Sequence, residues 1–156
     1  MQDIKTYLKN LNINFKTISH IPVYTCEEAE KYANELKGVH SKNLFLKNKK
    51  ENKFFLIIIP AGRKLEIKKI EALLNEKLTF ADKSDLNEIL NITTGAVSPF
   101  ALINDKDKKT QLIISNEILI SEYVAFHPNI NTETLELTSN DFKRFLESIK
   151  IKPIII

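Results

Sequence analysis

Residues 92–100, which read Ile-Thr-Thr-Gly-Ala-Val-Ser-Pro-Phe, have the pattern of a loop whose main chain can take part in a reaction. Gly95 is one of only three glycines in the 156-residue chain, and Pro99 follows it four positions later. Glycine frees the backbone and proline fixes it, so this loop can point successive N–H groups at one place. Backbone N–H groups arranged in this way stabilise a developing oxyanion. A tight connection between a helix and a strand is the alternative interpretation.

Side chains that would support other kinds of catalysis are absent or poorly placed in the sequence. His20, His40 and His127 lie in separate segments without HExxH or Cys/His spacing, and no nucleotide-binding glycine motif occurs. Ser98 lacks the second glycine of a GxSxG elbow, and Cys26 at a predicted helix start is more typical of a small buried residue than of a nucleophile. We therefore predict no metal, no cofactor and no covalent intermediate.

Two further motifs accompany the Gly95 loop. Residues 40–46 read His-Ser-Lys-Asn-Leu-Phe-Leu, and residues 124–128 read Val-Ala-Phe-His-Pro. In order and spacing, the three motifs resemble the YbaK/prolyl-tRNA synthetase-associated family of aminoacyl-tRNA editing domains. Within that family they are most similar to the free-standing branch of alanyl-tRNA(Pro) deacylases. The resemblance covers residues 20–149 and leaves residues 150–156 as a tail.

The resemblance implies a role for each residue that matches a family motif. Lys42 corresponds to the lysine that holds the phosphate of the terminal adenosine, and Asn43 to a polar residue that orients the substrate amino group or the water. Gly95 begins the Gly-x-x-x-Pro loop of backbone donors, and His127 binds substrate or positions water. These four residues are the predicted catalytic set. The predicted substrate-binding set is Val23, Phe45, Ala96, Val97, Ser98 and Pro99.

Each of these assignments has a purely structural alternative. Lys42 is also typical of an exposed lysine before a strand, Asn43 of a turn, and His127 of a histidine that bonds to the backbone at a strand end. Ser41 stands where relatives of this branch often carry threonine. If the missing methyl group shapes the pocket, the choice between small amino acids changes.

The activity that the resemblance implies is hydrolysis of the ester of a mischarged tRNA, most closely alanyl-tRNA(Pro). Such an ester is already activated, so a positioned water and a stabilised oxyanion are sufficient, which suits a chain without a catalytic triad. The implied partners are the acceptor end of tRNA(Pro) and prolyl-tRNA synthetase. Two alternatives stay open: a deacylase for cysteine or another small amino acid, and a non-catalytic tRNA-binding or regulatory module of the same fold.

Length and composition indicate one globular domain, residues 1–156. A hydrophobic content of 43% and a charged content of 28% are ordinary for a globular protein. The first residues do not form a signal peptide, no apolar run approaches the length of a membrane span, and a single cysteine suits a reducing compartment. We therefore expect a cytoplasmic protein that makes no membrane contact.

The charge of the chain is unevenly distributed. The formal net charge is only +3, but residues 41–70 contain nine Lys or Arg and two Glu, a balance of +7. Residues 71–140 contain five basic and eleven acidic residues, a balance of −6. Because the basic block includes Lys42, we expect a polyanion such as tRNA to be attracted to that side of the molecule. A solvated, lysine-rich hairpin and helix is the alternative.

Hydrophobic periodicity and capping residues predict the elements that position the motifs. Helices are expected from Asp3, over 26–36, 67–74 and 84–90, and after Thr138, with a helical turn over 117–121. Strands are expected through residues 14–19 and over 44–47, 54–59, 78–81, 101–104, 111–115, 123–127 and 134–137. The pairs 44–47 with 54–59 and 101–104 with 111–115 are predicted as hairpins. Mixed elements without strict alternation predict an α+β fold with a mixed, curved β-sheet surrounded by helices.

Overall fold

The computed structural model describes residues 3–22, 36–50 and 52–156, in which strands form two sheets. The larger sheet has the order Leu78–Phe80 (β4), Ser41–Asn48 (β2), Phe54–Pro60 (β3), Thr110–Ile114 (β5) and Ile154–Ile155 (β8). In it, β2 pairs antiparallel with both β3 and β4. The parallel pairs are β3 with β5 and β5 with β8. The predicted α+β fold with a mixed sheet is therefore confirmed.

The smaller sheet is antiparallel, and a bridge joins it to the segment that leads into the larger one. Its order is β1-β7-β6, formed by Lys16–Ser19, Glu133–Thr138 and Tyr123–Phe126. A parallel bridge between Val39 and Val124 connects the segment before β2 with β6. This junction places the start of β2 beside β6.

Helical segments make most of the remaining connections. The last helix begins where the sequence predicts, because the Thr138 side chain accepts a hydrogen bond of 3.1 Å from the Asp141 N–H. Within the described ranges, no helix has the length and apolar character that a membrane crossing needs. The helix predicted over 26–36 lies outside the described residues. The α-helices are Ile4–Asn10, Ile67–Leu74, Lys83–Asp85, Asn116–Leu119 and Ser139–Ser148; Leu86–Leu90 is a π-helical turn and Pro99–Asn104 a 3₁₀ helix.

The strand predicted over 101–104, and with it the second hairpin, is wrong. These residues belong to the 3₁₀ helix, which Ser98 caps by accepting a 3.1 Å hydrogen bond from the Phe100 N–H. Pro99 is at its first turn, where the ring fixes a helical φ and no N–H is needed. A short apolar run has no period that distinguishes a buried helix from a buried strand. The capping residues Ser98 and Pro99 are the sequence signal that distinguishes the helix from a strand here.

Strand β3 is buried on both faces and divides the core. Phe54, Leu56 and Ile58 belong to the main core cluster, whereas Phe55, Ile57 and Ile59 belong to a smaller cluster under the helix Ile67–Leu74. The alternation follows from the two-residue period of a strand. The strand predicted over 54–59 is confirmed, and it is central and buried.

Gly38 allows the two sheets to meet. Its N–H donates a 2.6 Å hydrogen bond to the buried Glu136 carboxylate on β7. A Cβ atom at this position would lie 3.0 Å from the Val124 carbonyl carbon and 3.1 Å from both the Ala125 nitrogen and its Cβ. These neighbours are mainly backbone atoms of β6, which cannot move without disturbing the sheet.

We expect Gly38→Ala to lower the free energy of unfolding by about 1–3 kcal/mol, the usual cost of forcing an extra methyl group into a packed site. Gly62→Ala is the matched control, because a Cβ there meets nothing within 4 Å. Urea unfolding of the two variants measures the difference. Equal stabilities would contradict the importance of the close approach at Gly38.

Candidate functional site

The Gly95 loop uses the conformational freedom of its glycine. Gly95 has a φ of 90°, a conformation that a residue with a Cβ rarely adopts. The Ala96 N–H donates to the Thr93 carbonyl at 3.2 Å, and so is already used. The N–H groups of Gly95, Val97 and Ser98 donate to no atom in the described part of the chain. Gly95 and Val97 are half-buried and Ser98 is fully buried, so these donors lie within the loop and not on its outer surface.

Ser98 acts in this loop as a helix cap. Its side chain is fully buried, and its Oγ already accepts the Phe100 N–H. No histidine or carboxylate hydrogen-bonds to this hydroxyl within the described residues, so nothing there activates it as a nucleophile. Pro99 and Phe100 are buried behind it and hold the loop against the core.

Lys42 is the second residue of β2, and its ammonium group is at the surface. Its Nζ donates a 2.6 Å hydrogen bond to the Arg63 carbonyl, in the connection that follows β3. Lys42 pairs with Ile59, and directly paired residues of an antiparallel ladder project from the same face. Lys42 is therefore on the face of the smaller core cluster.

Asn43 projects from the opposite face of β2, since successive side chains alternate. Its Nδ2 donates to the Ser41 Oγ at 3.3 Å, so the Ser41 hydroxyl bonds locally. Its Oδ1 is buried and has no partner within the described residues. A buried acceptor without a partner costs about 1–3 kcal/mol, and a donor on a ligand would remove that cost.

Phe45 follows Asn43 on the same face of β2. Its side chain is buried and stacks on Phe54 with ring centroids 5.5 Å apart. Phe45 and Ala96 belong to the same core cluster, and Val97 packs against it. The structure thus brings four predicted site residues to one side of the larger sheet, and it places Lys42 on the other face. Val23 lies outside the described residues.

His127 has a defined tautomer. Its Nδ1 lies 2.8 Å from the Glu133 carbonyl oxygen. A carbonyl can only accept, so Nδ1 carries the proton and Nε2 is the unprotonated nitrogen of the neutral ring. Burial lowers the pKa of His127 below its usual value, the bond to Glu133 opposes this, and the nearby charge of His20 lowers it further. At neutral pH the ring therefore offers an acceptor at Nε2.

His20 is a neighbour of His127 that the sequence analysis did not assign to the site. The two ring centroids are 5.7 Å apart. The His20 Nδ1 lies 2.8 Å from the Ile21 carbonyl, and its Nε2 lies 2.9 Å from the Thr134 hydroxyl. The two histidines are far apart in sequence, and the pairing of β7 with both β1 and β6 brings them together. The signal in the sequence was that His20 begins the region of family resemblance.

The three motifs converge at the junction of the two sheets. The Val39 N–H donates to the Tyr123 carbonyl at 3.3 Å, beside the parallel bridge to Val124. Because the bridge is parallel, the two segments continue from it in the same direction. One leads from Val39 to Lys42, and the other from Val124 to His127. In addition, the Phe100 ring packs edge-on against Phe126 at 5.9 Å, immediately before His127.

Ion pairs offset part of the basic block at residues 41–70. Four of its nine basic residues have carboxylate partners, so less than the full balance of +7 is available to a polyanion on that side. The pairs are Lys47 with Asp85, Lys53 with Glu76, Arg63 with Glu117, and Lys69 with Glu66.

The described residues contain no group of three or more His, Cys, Asp or Glu arranged to hold a metal ion.

Comparison with known proteins gives the same family as the motifs. The model of the aminoacyl-tRNA editing domain matches residues 20–145. The prolyl-tRNA editing protein ProX of Acetoanaerobium sticklandii is 33% identical over 148 residues, which cover 94% of this chain and 90% of that protein. The prolyl-tRNA synthetase associated domain-containing protein 1 of Xenopus laevis is 34% identical over 99% of this chain and 95% of its own.

Solved structures share the fold at low sequence identity. The hypothetical protein APE2540 superposes with a TM-score of 0.76 over 99% of this chain and 97% of its own, at 16% identity. A protein described as a candidate trans-editing enzyme for prolyl-tRNA synthetase gives 0.66 over 91% of this chain and 84% of its own, also at 16% identity. With the family model covering most of its length, the chain belongs to the aminoacyl-tRNA editing domain family, a family of aminoacyl-tRNA deacylases.

Proposed function

We propose that this protein is a single-domain, cytoplasmic, trans-acting hydrolase that removes alanine from mischarged tRNA(Pro). The observation that carries the proposal is the Gly95 loop, in which three N–H groups have no acceptor among the described residues and Ala96 belongs to the core cluster that contains Phe45. The name of the A. sticklandii relative, which refers to prolyl-tRNA editing, supports the choice of tRNA. The names of the vertebrate relatives support prolyl-tRNA synthetase as a partner.

In the proposed reaction, water attacks the ester carbonyl and the oxyanion forms against the Gly95 loop. Donors that are already oriented stabilise this charge without rearrangement, and removing one such donor from an enzyme typically costs about 10²–10³ in rate. The neutral His127 accepts a hydrogen bond from the attacking water at Nε2, because Nδ1 is held by Glu133. The Asn43 Oδ1, which has no partner in the described residues, accepts a hydrogen bond from the substrate amino group.

Lys42 holds the terminal nucleotide from the edge of the sheet. Its position as the second residue of β2 lets a long, flexible side chain reach past the end of the sheet. To bind a phosphate, the ammonium group exchanges the exposed Arg63 carbonyl for the anion. This arrangement places the phosphate at the rim, with the ester on the Asn43 face.

Selection of the amino acid is steric in this proposal. A synthetase for proline rejects alanine poorly, since each missing methylene is worth only about 1–3 kcal/mol. A second pocket that admits alanine and excludes the larger proline ring restores accuracy. Phe45, stacked on Phe54, is a rigid wall for such a pocket.

A panel of tRNA(Pro) charged with alanine, cysteine, serine or proline tests the proposed specificity. Alanyl-tRNA(Pro) should be hydrolysed fastest, and prolyl-tRNA(Pro) should survive, because its ring does not fit the pocket. Release of the labelled amino acid gives the rate. A faster reaction with the cysteinyl ester would show a cysteine deacylase instead, and binding of every tRNA without turnover would show a non-catalytic module.

Lys42→Ala should reduce kcat/KM for alanyl-tRNA(Pro) by about 10²-fold or more, because the phosphate anchor positions the ester in the transition state. Lys143→Ala is the matched control: this lysine is exposed on the last helix, and its loss should leave the rate unchanged. Single-turnover deacylation measures both variants. Equal rates for the wild type and Lys42→Ala would remove Lys42 from the site.

A further inference from the structure

A cleft lined by lysines lies at the end of the larger sheet where β3 and β5 begin. Its volume is about 570 Å³, and its basic residues are Lys53, Lys108, Lys109, Lys150 and Lys152. No acidic side chain from the described residues lines it. We call these five residues and the space between them the lysine cleft.

The fold, and not the local sequence, concentrates this charge. Lys108 and Lys109 come from a region, residues 71–140, with a balance of −6. Lys150 and Lys152 come from the segment that leads into β8, whose parallel pairing with β5 joins Ile113 with Ile154. The C-terminal tail, which has no assigned purpose in the sequence, thereby brings two lysines beside the start of β5.

Three of the five ammonium groups are available to a ligand. The Lys53 Nζ lies 3.4 Å from the Glu76 carboxylate, and the Lys108 Nζ donates to the Ile149 carbonyl at 2.5 Å. Lys109, Lys150 and Lys152 are exposed and make no ion pair with any described residue.

Of the acidic residues close to Lys108 and Lys109 in sequence, Asp107 is exposed and forms no ion pair with a described residue, and Asp105 is bonded to the backbone. Asp105 is buried, and its carboxylate accepts the Lys109 N–H at 3.1 Å and the Thr110 N–H at 2.7 Å. Its charge is used to shape the turn that precedes β5. A cluster of like charges on an apolar floor attracts a polyanion and is not satisfied internally.

Two cleft lysines have a backbone conformation that is unfavourable for lysine. Lys108 has a φ of 54° and Lys150 a φ of 59°. The other non-glycine residues with positive φ in the described chain are all asparagine, namely Asn12, Asn75, Asn91 and Asn129. Asparagine and glycine adopt this region more easily. Lysine therefore occupies two positions that asparagine or glycine would fill with less strain.

The lysine cleft is separate from the Lys42 end of the sheet but within reach of the same RNA. Phe54 begins β3 at the cleft, and Ile59, which pairs with Lys42, is five residues further along the strand. At about 3.3 Å per residue the separation is roughly 17 Å. A duplex advances on the order of 3 Å per base pair, so this distance corresponds to only a few base pairs.

We propose that the lysine cleft is a second binding site, which takes the phosphate backbone of the substrate tRNA while the terminal nucleotide occupies the Lys42 end. The proposal rests on the proposed function. The cleft adds affinity that is independent of base sequence, and it orients the RNA along β3.

The test is the triple variant Lys109→Ala, Lys150→Ala and Lys152→Ala. Its KM for alanyl-tRNA(Pro) should rise by about tenfold or more with kcat unchanged. The slope of log affinity for uncharged tRNA against log salt should fall by about 2–3, at about 0.7–0.9 per lost phosphate contact. Hydrolysis of a minimal ester, 3′-alanyl-adenosine, should not change.

Two further triple variants are the controls. Lys9→Ala with Lys83→Ala and Lys143→Ala removes the same charge from exposed positions elsewhere, and should leave KM and the salt slope close to the wild type. Replacing the three cleft lysines by arginine retains the charge and should preserve tRNA binding. A normal KM and salt slope in the cleft variant would overturn the proposal, as would tight binding of free ATP at the cleft combined with unchanged tRNA affinity.

These readouts separate failure of the cleft from failure of the proposed function. If the wild type hydrolyses no charged tRNA, the proposed function fails, but binding of uncharged tRNA to the variants still measures the cleft. If the wild type is active and the cleft variant binds tRNA normally, only the cleft proposal fails.

Discussion

The contact of Gly38 with β6 is the constraint on which the site depends. A glycine is needed there because the backbone of β6 comes within about 3 Å of the place that a Cβ would fill. That approach permits the bridge from Val39 to Val124, and the bridge sets the starting points of the segments that carry Lys42 and His127. The buried Glu136 carboxylate, bonded to the Gly38 N–H, holds the same junction from the side of β7. The geometry of the candidate site is thus a consequence of how closely two sheets can pack.

The polar groups around this junction are mostly occupied, and the exceptions indicate where a substrate belongs. His127 is held through Nδ1, Ser98 caps a helix, and Ala96 closes a turn. Near the predicted motifs, the Asn43 Oδ1 and the N–H groups of Gly95, Val97 and Ser98 have no partner among the described residues. An enzyme that relies on oriented dipoles needs such groups to be rigid and unsatisfied before substrate arrives. Here the packing of Phe45, Phe54 and Phe100 supplies the rigidity.

Much of the local structure could be predicted from the sequence. A continuous apolar run located β3, and helical period located the helix Ile67–Leu74 and, together with the Thr138 cap, the last helix. The run at 101–104 was mistaken for a strand because its helical cap, Ser98 with Pro99, was assigned to the loop instead. Family motifs, and not periodicity, identified the candidate site residues.

Long-range pairing is what the sequence did not disclose. The parallel pairing of β3 with β5, the strand formed by the C-terminal tail and the contact between His20 and His127 all join distant segments. Charge counting along the chain likewise predicted a basic side at residues 41–70, whereas ion pairs offset part of that block and the fold gathers other lysines into a cleft. Such features depend on tertiary contacts, so no window of sequence contains them.

The central claim is that main-chain amides, and not a reactive side chain, stabilise the charge that develops on the ester. A structure of the protein with a non-hydrolysable amide analogue of alanyl-adenosine tests it most directly. The account predicts that the analogue's carbonyl oxygen lies about 2.7–3.1 Å from N–H groups of the Gly95 loop, with the 5′ end of its adenosine, which carries the phosphate in tRNA, towards Lys42. A carbonyl oxygen that faces solvent or a side-chain nucleophile, with no loop N–H in hydrogen-bond range, would contradict it.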